Sequence, residues 1–277
     1  GGGGPRAPWP PRPPSATLHL SVAPNPSHLE AVCPVVLGLV RAQQDRLDGG
    51  PGAVGGLLIH GDAAFAGLGV VPETLALGRL PGYTVGGTVH LVANNGVGFT
   101  THPADGRSGP HPTDVAKHAG GPLPILHACA DDPDAVVDAA VLAADWRAAW
   151  GTDVVVDVVG YRRHGHNELD DPSPAQPLTA AVVAGHPPVV ALYAASLASD
   201  GVFPSRSAAH AAAAAWADEA SVEYGAEHAA FVAGAHAQTA DDWLRSSWQG
   251  AALEAVTLDT GGIAQRQEPT GLPLETL

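Results

Sequence analysis

The chain has 277 residues, enough for one large domain or two small ones around a buried core. With 45% hydrophobic and 15% charged residues it reads as globular rather than disordered. Thirteen Lys and Arg stand against 28 Asp and Glu, a net charge of −15, which argues against a surface built to neutralise the phosphates of nucleic acid.

The chain opens on GGGGPRAPWPPRPP, and residues 1–16 are expected to be a Gly/Pro-rich disordered lead-in. Residues 17–22 (TLHLSV) alternate as a short strand does. His28 to Leu47 carries apolar residues at helical spacing, with Ser27 placed to cap it and Glu30 three positions on, as in a capping box. Leu57–His60 reads as a buried strand ending at Gly61-Asp62, and Gly69 to Leu80 as a helix with Pro72 confined to its first turn. Thr88–Ala93 is a second buried strand, ending at Asn94-Asn95. Thr113–His118 fits a short helix, Pro124–Ala128 a strand, Pro133–Trp150 a strong helix and Asp153–Val159 (DVVVDVV) another buried strand. From Leu178 the chain turns alanine-rich and helical, above all over 207–236, and loosens after Trp248.

Strands alternating with helices predict an α/β fold, a doubly wound and mostly parallel sheet with helices on both faces. The divisions expected are an α/β domain over 17–180, a helical extension over 181–247 and a linker over 248–277. Ligands of such sheets sit outside the carboxyl ends of the strands, where three polar motifs fall.

Cys33 and Cys129 lie far apart and form no CxxC, so neither a disulfide framework nor a cysteine zinc site is indicated, and a reducing, cytoplasmic setting is expected. No apolar run reaches the roughly 20 residues of a membrane span, and the N-terminus lacks the apolar core of a signal peptide. Methionine is absent even at position 1, as expected of a segment of a longer reading frame.

Gly61-Asp62-Ala63-Ala64, followed by Asn95 in NNGVGFTT, is the most informative pairing. Mg²⁺ prefers octahedral oxygen ligands and is commonly shared with substrate phosphates. The Asp62 carboxylate, the Asn95 amide oxygen and the Val97 carbonyl would fill half of that shell. The small residues Ala63 and Ala64 would let main-chain N–H groups approach a diphosphate. The alternative is a strand-to-helix turn capped by Asp62 and an unrelated Asn-Asn turn. A second polar cluster, His164-Gly-His166-Asn-Glu168, follows the last strand. Its HxH lacks further zinc ligands nearby, and Arg162 and Arg163 are open either to an anion or to pairing with Asp170 or Asp171.

GDA followed by NN at this spacing is similar to the thiamine-diphosphate signature. The strings NPSHLEAVCPVVLGLVRAQQDRLD, LLIHGDAAFAGLGVVPETLALGRLPGYTVGGTVHLVANNGVGFTT and VVVDVVGYRRHGHNELDDPSPAQPL closely resemble the first, decarboxylating component of the 2-oxoglutarate dehydrogenase family. The resemblance implies Asp62, Asn95 and the Val97 carbonyl as Mg²⁺ ligands, and Ala63 and Ala64 as main-chain contacts of thiamine diphosphate. It implies Ser27 and Leu29 at the cofactor and substrate pocket, with His28 between them, and His166 as a candidate for substrate contact or proton transfer. Oxidative decarboxylation of 2-oxoglutarate, a lipoyl-bearing succinyltransferase component as partner and a homodimer follow as expectations. 2-Oxoadipate as substrate, a non-oxidative outcome and a non-catalytic cofactor-binding domain are the rival readings. Where the family usually has glutamine this chain has Gly96, which is expected to loosen the loop carrying Val97.

Overall fold

The computed structural model describes residues 20–47, 49–118, 123–164 and 169–234. Two compact units divide the chain at 213/214, and the described part of the second is helical.

Four strands, β1 (Gly56–Gly61), β2 (Thr88–Asn94), β3 (Ile125–Cys129) and β4 (Val154–Val159), form one all-parallel sheet in the order β1-β2-β4-β3. Valine dominates β4, as suits a strand buried on both faces. Its alternation assigns the layers. Val154 and Val156 pack with Ala143 of helix α5 (Pro133–Trp150), whereas Val155 packs with Phe65, Val71, Leu75 and Val92 on the opposite face. That second face is covered by α2 (Asp62–Gly67), α3 (Val70–Leu77) and a 3₁₀ turn at Pro112–Lys117. Helix α1 (Val32–Arg46) lies over β1 through Cys33, Leu37 and Val40 against Leu58. Helices on both faces of a parallel sheet are therefore found as expected. Each fully buried Val, Leu or Phe in these clusters contributes about 1.5–3 kcal/mol.

Local chemistry explains the boundaries of α5. The Asp132 carboxylate accepts from the Ala135 N–H at 3.1 Å, Pro133 occupies the first helical position, and Gly151 ends the helix with φ of 59°. Arg147, near its C-terminus, donates to the carbonyls of Gly87 (2.7 Å), Val54 (2.9 Å) and Pro51 (3.1 Å), tying α5 to the loops that enter β1 and β2. Gly87 is required there: its φ is +85°, and a side chain would run into the Thr152 carbonyl. A short helix α4 (Pro103–Gly106) interrupts the segment between β2 and the 3₁₀ turn. After β4 come α6 (Pro177–Gly185), α7 (Val189–Ser199) and α8 (Arg206–Val232). Among the described residues no single helix is long and apolar enough to cross a membrane.

Three local expectations are corrected. Of the strand expected over 17–22, only 20–22 are described and they are not a strand; Leu20 and Val22 alternate but stand in solvent, and no described strand pairs with them. The capping box at Ser27 and Glu30 does not form. Helix α1 begins at Val32 after Ala31, without a side-chain cap, because the Glu30 carboxylate turns inward to buried partners. The short helix expected at Thr113–His118 is a 3₁₀ turn. The lead-in over 1–16 and the segment 248–277 lie outside the described residues.

Candidate active site

Strands β1, β2 and β4 end at Gly61, Asn94 and Val159, so the polar motifs that follow them emerge from the same edge of the sheet. Asp62 is the first residue of α2 and is buried, held by the Phe65 side of the core below it. Its Oδ2 accepts from Arg107 Nη1 at 3.0 Å, and its Oδ1 is buried with no hydrogen-bond partner among the described residues. Ala63 and Ala64 complete the first turn, where amide N–H groups lack acceptors within the helix.

Asn95 shapes the loop after β2. Its Oδ1 accepts from the Val97 N–H at 3.2 Å, an Asx turn that fixes where the Val97 carbonyl stands. Gly96 between them has φ of +72°, a conformation glycine adopts without strain. Its carbonyl accepts from Gln176 Nε2 at 3.2 Å, so a buried glutamine from the segment before α6 anchors this loop. Gly98 then closes on α2: a Cβ there would lie 3.1 Å from the Ala63 Cβ.

A cleft of about 180 Å³ opens over Asp62, Ala63, Gly98, Thr101, His102 and Arg107. Asn95 and Val97 line a smaller recess of about 30 Å³ with Tyr161, Arg162, Arg163 and Gln176. The donor set offered by Asp62, Asn95 and the Val97 carbonyl is all oxygen, which suits a hard dication. The unpartnered Oδ1 of Asp62 is the atom such a cation would satisfy. The chemistry of this donor set is what a Mg²⁺ ion would take, with Asp62 lining one recess and Asn95 and Val97 the other.

Residues 18–220 match the dehydrogenase E1 component family over most of the chain. The chain belongs to the dehydrogenase E1 component family. It is 54% identical over 185 residues to the mitochondrial 2-oxoglutarate dehydrogenase of Schizosaccharomyces pombe, covering 66% of this chain and 18% of that protein. It is 48% identical over 196 residues to the 2-oxoglutarate dehydrogenase E1 component of Geobacillus kaustophilus, covering 69% and 20%. Against the corresponding component of Brucella anthropi it is 41% identical over 272 residues, covering 94% and 26%. The chain thus spans about a fifth to a quarter of the length of these relatives.

In this E1-family chain the other predicted site residues are distributed unevenly. Ser27, His28 and Leu29 are exposed on the turn before α1 and line neither recess. His166 lies outside the described residues. Arg162 and Arg163 line the recess of Asn95 and Val97, and Arg163 donates not to Asp170 or Asp171 but to the carbonyls of Val183 (3.1 Å) and His186 (3.0 Å) at the end of α6 and to the Tyr161 hydroxyl.

Sequence reasoning missed three residues. Arg107 and Gln176 reach the site from positions that no local pattern marks. Glu30 was visible in NPSHLE, but its partners were not. It is buried at φ of 66°, accepts from Cys33 Sγ at 3.1 Å and pairs with His60 Nδ1 at 2.6 Å. The tautomer in which His60 Nδ1–H donates to Glu30 leaves His60 Nε2 to accept from His90 Nδ1–H at 3.0 Å. Burial, helped by His60, holds the His90 imidazole down to about 3. Burial and Glu30 together push the Cys33 thiol up to about 12. This chain of buried groups lies directly beneath the turn that presents Asp62, since His60 and Asp62 are separated by Gly61 alone.

Proposed function

We propose that this chain supplies the Mg²⁺ and diphosphate end of a thiamine-diphosphate-dependent 2-oxoacid dehydrogenase. The substrate proposed is 2-oxoglutarate, and the succinyl unit passes to a lipoyl-bearing succinyltransferase component. The observation that carries the reading is the buried, unpartnered Oδ1 of Asp62 at the carboxyl end of β1, in a family whose relatives bear 2-oxoglutarate dehydrogenase names.

Thiamine diphosphate, when bound, would supply the electron sink that decarboxylation of a 2-oxoacid requires. This chain's own residues hold and orient. Asp62, Asn95 and the Val97 carbonyl hold Mg²⁺, and the amides of Ala63 and Ala64 receive the diphosphate oxygens. Arg107 keeps the Asp62 carboxylate in one orientation through its 3.0 Å hydrogen bond, leaving Oδ1 for the metal. The Asx turn at Asn95 and the Gln176 anchor keep the Val97 carbonyl in place. Ser27 and Leu29, which line neither recess described above, are proposed for the cofactor and substrate pocket on the family resemblance alone. His28 and His166 are assigned to substrate contact or proton transfer in a homodimer.

Calorimetric titration with thiamine diphosphate, with and without Mg²⁺, tests the site. Binding is expected to require Mg²⁺ and to vanish in Asp62→Ala. Equal binding by that variant would remove the metal assignment. Carbon dioxide release measured side by side from 2-oxoglutarate and 2-oxoadipate by the assembled dehydrogenase tests the substrate; preference for the six-carbon acid would overturn it.

A further inference from the structure

Asp157 is an oddity in β4. It is fully buried within a run of valines, yet its Oδ1 has no hydrogen-bond partner among the described residues. A buried carboxylate oxygen left unsatisfied is costly and calls for a cation or an unseen ligand. Two imidazoles converge on the same carboxylate. His127, paired with Asp157 in the β3–β4 register, places Nδ1 2.8 Å from Asp157 Oδ2. His111, just before the 3₁₀ turn, places Nδ1 3.8 Å from the same oxygen. The two rings are 4.4 Å apart, and one ligand atom from each of the three residues falls within 4.8 Å of the others.

We propose that His111, His127 and Asp157 form a binding site for a divalent transition metal of the zinc class, separate in its residues from the Asp62 site. Two nitrogens and one carboxylate oxygen suit zinc or cobalt rather than magnesium or calcium. Metal–ligand bonds of about 2.0–2.1 Å in tetrahedral array put donor atoms roughly 3.3 Å apart, and the observed separations bracket that value. Both imidazoles are partly exposed, with side-chain accessibilities of 43% and 38%, so the ion can enter and a water can take the fourth position. Binding would put the ion where His127 Nδ1–H now meets Asp157, releasing that proton to solvent. Asp114 accepts the His111 backbone N–H at 3.2 Å and pairs with Lys117, adding negative charge beside the site without being a ligand. The His111 side chain caps the 3₁₀ turn by accepting the Asp114 backbone N–H, a bond the ion would have to displace if it falls on the ligating nitrogen.

The other cluster of possible ligands, Glu30, Cys33 and His60, is a poorer host. Its atoms are fully buried and already bonded to one another, and its thiol is held protonated.

The test uses the full chain, stripped with chelator and titrated with Zn²⁺ and, as a spectroscopic probe, Co²⁺. One equivalent is expected to bind. Co²⁺ should give the visible bands of a nitrogen- and oxygen-ligated ion without a sulfur charge-transfer band. His111→Ala, a change at a half-exposed side chain, should weaken binding at least tenfold while the circular dichroism stays native, and Asp62→Asn should leave it intact. The proposal is overturned if the folded chain shows no saturable binding, if His111→Ala binds as tightly as the parent, or if a sulfur charge-transfer band places the ion on Cys33.

Discussion

Arg107 Nη1 lies 3.0 Å from Asp62 Oδ2, joining residues 45 positions apart, while Asp62 Oδ1 has no partner among the described residues. The guanidinium thus compensates one oxygen of a buried carboxylate and leaves the other, also buried, uncompensated. Removing it strands the charge. Arg107→Gln is expected to cost the metal-free chain about 3 kcal/mol, the penalty for leaving a buried partner unpaired. Mg²⁺ should restore part of that loss, so it should raise the melting temperature of the variant more than that of the parent. Thermal melts with and without Mg²⁺ check this, and equal increments would show the two cations to be independent.

The loop after β2 depends on Gln176. Its Nε2 donates to the Gly96 carbonyl across 80 residues of sequence, at a position where glycine carries no side chain of its own to pin the turn. Gln176→Ala should remove about 1 kcal/mol of loop order and weaken Mg²⁺-dependent diphosphate binding roughly fivefold, with the fold intact. Calorimetry on the variant reads the affinity directly; no change would mean the Asx turn at Asn95 suffices.

His90 should govern part of the acid limb of stability. Its folded value is about 3 against an ordinary value of 6.5, because the ring is buried beside His60. Between those values the unfolded chain binds a proton that the folded chain refuses. The contribution is therefore fully present above about pH 6.5 and is lost as pH falls towards 3, by up to about 1.4 kcal/mol per pH unit. Urea unfolding from about pH 7 down to about pH 4 should show this slope, and His90→Gln should flatten it. An identical slope in the variant would assign the effect to other groups.

The two thiols should differ sharply. Cys33 is buried, donates to Glu30 and has its thiol pushed up to about 12, whereas Cys129 is exposed. A thiol reagent should titrate one cysteine quickly in the native protein and the second only after unfolding, and Cys129→Ser should abolish the fast phase. Reaction of Cys33 at the same rate would mean the Glu30 cluster opens readily.

The sequence by itself determined the sheet and the placement of Asp62 and Asn95 at its carboxyl edge. Valine-rich runs are legible as buried parallel strands because their hydrophobicity does not alternate, and Asp132-Pro133 and Gly151 mark the ends of α5 through local capping chemistry. Asp62 and Asn95 were legible because each directly follows a strand, where parallel sheets gather ligands. Only the tertiary structure decided what those residues touch. Glu30 obeyed the pattern of a cap yet turned inward, since a hydrogen bond to buried His60 was open to it. Arg107, Gln176 and the meeting of His111 and His127 at Asp157 depend on contacts between residues 16 to 80 positions apart. Local periodicity carries no information about such meetings, because hydrogen bonds and ion pairs are set by distance in space rather than by spacing along the chain.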